Sequence, residues 1–258
     1  MLKMKTLIVV LMVSIPTLCQ GEPIITEFAQ DGTIGNGDIY DIVNVVNTAT
    51  VGMTGGQVNQ LNARNYATIN FYGGTVLQGI GIQNTSKFNL AGNLTVSNSY
   101  WFWMHDSAEF HINSGTFDGR ISESDGRIVV NNGSVNFGES YTTNHAIMDL
   151  YGGTVTFTDD ILLDRYAVLN VYGGDVTFNG NSFGNAFRLG PWAVFNVYYS
   201  NIIYDGIGNH IIGYHLQDGS EFMLNQFTQN EISQIKFVPE PTMFVLLGLG
   251  GLILRKLH

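Results

Sequence analysis

One phrase recurs along this chain, and it narrows the possible folds more than any other feature. It reads LNVYGGDVTF at residues 169–178, MDLYGGTVTF at 148–157 and INFYGGTV at 69–76. Looser copies are VGMTGGQV at 51–58, FNLAGNLTV at 88–96, FHINSGTF at 110–117 and IVVNNGSV at 128–135. FNVYYSNI at 195–202 and FMLNQF at 222–227 keep the apolar half and lose the glycines. Within one copy Leu169, Val171, Val176 and Phe178 alternate with Asn170, Asp175 and Thr177. Period two is the pattern of a strand with one buried face. The Gly-Gly step between the apolar pairs gives the backbone access to positive φ and so to a corner. A strand, a corner and a second strand cannot bury their own apolar face, but stacked copies can.

The spacing points the same way. The first apolar residues of the copies are Val51, Ile69, Phe88, Phe110, Ile128, Met148, Leu169, Phe195 and Phe222, at steps of 18, 19, 22, 18, 20, 21, 26 and 27 residues. A step of about twenty residues suits one turn of a parallel β-helix, with rungs ~4.8 Å apart, so nine rungs predict a rod roughly 40 Å long. A leucine-rich repeat has a similar period but needs Leu and Asn/Cys landmarks that are missing here. A β-sandwich has short strands too, but no reason to reuse one phrase at one period. The predicted fold is therefore all-β: a single-stranded parallel β-helix over residues 22–237, with the longer steps as loops. Residues 22–50 read as its N-terminal cap and first rung, and residues 198–237 as its last rungs and C-terminal cap. A signal helix and a C-terminal hydrophobic helix are expected to flank the rod.

Residues 1–21 have the form of a secretory signal peptide. Lys3 and Lys5 precede a short apolar run at 7–13, and Cys19 and Gly21 offer a small-residue cleavage site after Gly21. The run is far shorter than the ~20 residues a membrane span needs. Cys19 is the only cysteine, and Leu18 before it argues against a lipid-acceptor site. Cleavage after Gly21 leaves an exported chain with no disulfide, held by its stacked core alone.

The opposite end reads Val238-Pro239-Glu240-Pro241-Thr242, then MFVLLGLGGLIL at 243–254, then Arg255-Lys256. A Pro-Glu-Pro triplet, an apolar segment and a terminal basic pair resemble the PEP-CTERM sorting signal of Gram-negative bacteria, and the resemblance covers residues 238–258. The basic part departs from the usual longer run, with Leu257 and His258 following the pair. The resemblance implies a transient stop in the inner membrane and processing near Pro239-Glu240-Pro241 by an exosortase-type membrane protease. Release to the cell surface or an exopolysaccharide matrix would follow. On physical grounds alone, twelve apolar or glycine residues are short for a stable span, and Arg255 and Lys256 would remain on the cytoplasmic side.

The chain has 21 acidic and 11 basic residues, and Lys3, Lys5, Arg255 and Lys256 belong to its two ends. The middle is thus more acidic still, a poor match for nucleic acid. Parallel β-helices include polysaccharide lyases and hydrolases, so Asp159, Asp160, Asp164 and Arg165 are the candidate catalytic group, since close carboxylates can serve as acid and base or hold Ca²⁺. The competing reading is a solvated turn. Trp101 and Trp103, within Tyr100–Met104, are candidates for stacking on sugar rings; the alternative is that this aromatic run covers or fills the rod. Gly180-Asn181-Ser182-Phe183-Gly184 fits GxSxG by letter but lacks room for the helix that motif requires. The histidines show no metal-ligand spacing, His111 reads as an exposed strand position, and no cofactor is expected. Asn70, Asn89, Asn170 and Asn196 share one phase, predicting a structural amide ladder along the rod. Three functions follow in order: a non-enzymatic surface or matrix rod, a carbohydrate-active enzyme, and a sugar-binding module.

Overall fold

A computed structural model describes residues 23–96, 101–159, 161–178, 187–199, 201–204, 211–214, 221–224 and 235–239. These form a parallel β-solenoid of about eight turns, and the described residues include no helix. Both predicted terminal helices, residues 1–21 and the tail beyond Pro239, lie outside the described residues.

The repeat sets the register. Residues paired across successive rungs run Gly32, Val51, Ile69, Phe88, Phe110, Ile128, Met148, Leu169, Phe195 and Ile235. Eight of the nine predicted rung starts therefore stack in one column. The ninth does not. Phe222 lies in strand Glu221–Leu224 of an antiparallel three-stranded sheet, opposite Gly213, and Ile235 takes the place above Phe195. FMLNQF has the alternation of a rung, but alternation does not say which neighbour a strand will take. The excursion passes beside strand Asp175–Phe178 before the chain returns as Ile235–Pro239. At the other end, Ile25–Phe28 pairs in parallel with Ile42–Val45, so residues 24–45 already form a turn of the coil.

Each turn has three faces. The first is the column above. The second carries Val58, Val76, Leu94, Phe117, Val135, Val155 and Val176 inward. The third carries pairs such as Leu61 and Ala63, Ile80 and Ile82, and Phe102 and Met104. Glycines make the corner between the first two faces. At Gly133 φ is +111°, and a Cβ there would sit 2.6 Å from the Gly115 carbonyl oxygen of the turn below, so both conformation and clearance demand glycine. The corner from third face to first uses another device. Asn47, Asn65, Asn84, Asp106, Asp125, Asn144 and Arg165 all take φ between 56° and 65°. Short amide and carboxylate side chains tolerate this left-handed region best. Two residues on, Ala49, Ala67, Ser86, Ala108, Ala146 and Ala167 form a buried column of small side chains.

The interior is close-packed around aromatic rings. Phe102 stacks on Phe110 at 4.3 Å and 15°, Phe88 meets both nearly edge-on, and Phe117, Phe137 and Phe157 continue the stack. With no cysteine among the described residues, this burial is the main source of stability. Replacing Phe110, which is inaccessible to solvent, by Ala should cost about 3–5 kcal/mol. Replacing the exposed corner residue Tyr66 by Ala should stay within about 0.5 kcal/mol. Urea unfolding of the two variants checks this, and equal losses would contradict the stacked core.

Candidate functional site

The aromatic run of the sequence divides between inside and outside. Phe102 and Met104 point into the core, while Trp101 and Trp103 point out from strand Trp101–His105. The indoles lie 5.8 Å apart and tilted by 42°, rather than coplanar. Later turns support Trp101: the Arg120 guanidinium sits 5.6 Å from its ring centroid, and the Tyr141 ring is 5.4 Å away. Glu139 links these two, pairing with Arg120 at 3.5 Å and accepting the Tyr141 hydroxyl hydrogen bond. On the earlier side the turn next to the indoles presents Gly79 and Gly81, and the turn before that presents Gln60 and Asn62. With glycine at the two outward positions 79 and 81 of the middle turn, a trough of about 180 Å³ opens there, lined by Gln60, Gln78, Gly79, Ile80, Trp101 and Trp103. The tryptophans were legible as candidates. Their glycine floor was not, because it lies some twenty residues earlier in sequence.

The acidic candidates flank one short strand. Asp159 lies at the corner before strand Ile161–Leu163, and Asp164 and Arg165 lie after it. Strand Ile161–Leu163 thus stands between Asp159 and Asp164 along the chain. Asp160 lies outside the described residues, as does the 180–184 motif. Arg165 is the seventh member of the left-handed corner column: Asp164 Oδ1 accepts its backbone N–H at 2.8 Å, and its guanidinium donates to Asn144 Oδ1. These contacts give it a place in the corner.

The predicted amide ladder is present and directional. Asn89 Nδ2 donates to Asn70 Oδ1 at 2.8 Å, and Asn196 Nδ2 donates to Asn170 Oδ1 at 2.8 Å. Asn170 Nδ2 in turn donates to Asp149 Oδ1 at 2.7 Å. Asp149, a carboxylate with acceptors only, ends this run and takes Arg127 Nε at 2.8 Å on its other oxygen. Between the two runs stand His111 and Val129. His111 is half-buried beside Glu109, 2.9 Å away, rather than freely exposed. Salt-bridging to Lys87 lowers the Glu109 pKa most, against the effect of its burial, with His111 adding to the lowering. Two aromatic ladders also run along the corners, Tyr151–Tyr172–Tyr198 and His145–Tyr166–Trp192, with ring planes within 15° of one another. Burial and the Tyr198 hydrogen bond raise the Tyr172 phenol well above its ordinary range.

One polar group lies inside the rod. Glu123 is 1% exposed, in register with Thr142 on the inner side of the third face, with Ser140 two residues away. Both Glu123 carboxyl oxygens and both hydroxyl oxygens lack hydrogen-bond partners within the protein. Burial, and secondarily the charge of Asp149, pushes the Glu123 pKa well up. Alternation with Ile121 placed it inward in the sequence, a signal that went unread. No group of three potential metal ligands occurs among the described residues. No family model, curated protein or solved structure matches the chain.

Two predictions follow from these placements. A folded-state pKa above the unfolded value means that the Glu123 contribution to stability is complete below about pH 4 and lost as pH rises through the folded pKa. Glu123→Gln should therefore gain on the wild type as pH rises above about 4, read from urea midpoints; a pH-independent difference would contradict the raised pKa of this buried acid. Arg165→Asn restores the usual residue of the corner and should leave stability unchanged or raise it by up to about 1 kcal/mol. A marked loss in the thermal unfolding of that variant would contradict the corner assignment.

Proposed function

We propose that this chain is an exported, non-enzymatic surface or extracellular-matrix protein: a β-solenoid rod delivered and processed through a PEP-CTERM tail. The observation that carries this reading is the three-part sequence Pro239-Glu240-Pro241, apolar residues 243–254 and Arg255-Lys256, at the other end of the chain from a signal-peptide pattern. The fold supports it in two ways. The last strand described, Ile235–Pro239, pairs with Val194–Tyr199 through Tyr199 and Pro239, so the first proline of the triplet belongs to a strand of the coil. A proline supplies no N–H to a further pairing strand, which suits an edge. The rod is built from short corners and stacked side chains, and the acidic residues nearest to a catalytic group lie at opposite ends of one strand. The sorting partner is an exosortase-type membrane protease, the membrane stage is transient, and the setting is the exopolysaccharide-rich surface of a Gram-negative-type bacterium.

An antibody against the rod, used on fractionated native cells, tests this. Protein outside the cell, with a mass matching loss of residues 1–21 and of the chain beyond about residue 240, is the expected result. Full-length protein held in the inner membrane would make the tail an ordinary anchor and remove the main support for the reading.

A further inference from the structure

We infer that the trough between the Gln60–Asn62 turn and the Trp101–Trp103 turn is a binding groove for a neutral glycan chain lying across the rod. Three observations converge on this. The first concerns ring faces. In the His145–Tyr166–Trp192 and Tyr151–Tyr172–Tyr198 ladders each inner ring has its faces covered by its neighbours, so a ligand would meet mostly ring edges. Trp101 and Trp103 differ. Arg120 and Tyr141 support Trp101 from the later turns, whereas the turn on the other side has Gly79 and Gly81 at its facing positions and Gln78 beside them. That side of the indoles is open, and Trp103 is 45% exposed. An open indole face suits the apolar C–H face of a sugar ring.

The second observation is an interrupted amide ladder. Asn62 is 8% exposed, and its Nδ2 donates back to Asn44 Oδ1 at 3.0 Å. In the continuous ladders the Oδ1 of such a residue accepts the Nδ2 of the next turn. Here the next turn has Gly81, and a Cβ on that glycine would lie 2.8 Å from Asn62 Oδ1. The acceptor thus faces the vacant Cβ position of Gly81, beside the trough, with one long bond of 3.4 Å from Gln60 Nε2. A ligand hydroxyl placed there would complete the ladder. Buried polar groups strongly favour such completion.

The third observation is charge. No ionisable side chain lines the trough, and Arg120 behind it is paired with Glu139. The lining consists of amides, glycine and indole on a chain with a net charge of −10, which repels polyanions. The outer turns stand roughly 10 Å apart, two rung spacings, and the trough follows the strand direction. The glycan therefore lies perpendicular to the rod axis. The groove goes beyond the matrix reading and depends on it only for the source of the glycan, so binding by purified protein is tested separately from sorting.

The test uses purified full-length protein with cellohexaose and dextran as neutral probes and polygalacturonate as the anionic one. The chain has three tryptophans, so Trp192→Phe leaves only the groove indoles to report by fluorescence. Either neutral probe should shift the emission of this variant and bind in calorimetry. Adding Trp103→Ala should weaken binding about tenfold or more. Gly79→Val sets a branched side chain on the trough floor and should abolish binding, with a melting scan showing that the variant folds. Absence of binding by both neutral probes, binding by polygalacturonate alone, or unchanged affinity in Gly79→Val would each overturn the groove.

Discussion

The structure depends on one constraint: every strand of the coil pairs in parallel and nearly in register with the strand one turn away. Parallel pairing sets each residue directly above its counterpart, so a solenoid is stable only if each column tolerates its own kind. Phenylalanine packs on phenylalanine inside, as Phe157 on Phe137, amide bonds amide outside, and glycine clears the carbonyl of the glycine below at the corner. The repeated phrase is the record of that requirement. A lone strand–corner–strand unit has no counterpart to satisfy it.

This explains why the core was legible and the corners were less so. Apolar alternation with a glycine pair is conspicuous, and it is enough to place Val51 through Phe195 in one column. The left-handed corner is marked instead by Asn or Asp two residues before a small residue, a pattern without hydrophobic contrast. Arg165 conceals it further, and so drew attention as a catalytic candidate beside Asp164. Phe222 shows the opposite failure: its strand has the right alternation but pairs antiparallel with Ile211–Tyr214. Which strand a rung-like segment joins is decided by loop path and competing edges, and neither is written in its own residues.

The groove and Glu123 show what stacking order conceals. A pair of glycines at 79 and 81 reads as flexible chain, and Trp101 and Trp103 read as an aromatic cluster. Only the pairing of Gly81 with Trp103 makes floor and wall of them. Glu123 occupies an inward position next to Thr142, where a self-tolerant column would carry an aliphatic side chain. Both depart from the like-on-like rule that governs the neighbouring turns, and such departures are where a solenoid gains properties beyond rigidity.

The direction of the rung-to-rung hydrogen bonds has a mechanical consequence. They run along the rod axis, so tension applied between its ends loads one turn at a time and peels it, rather than shearing many bonds together. Each turn released would convert ~4.8 Å of stacked height into roughly 70 Å of extended chain. Nearest-neighbour stacking leaves the remaining turns intact meanwhile. Anchored at both ends in a surface layer, such a rod would lengthen stepwise under load and absorb work with each step.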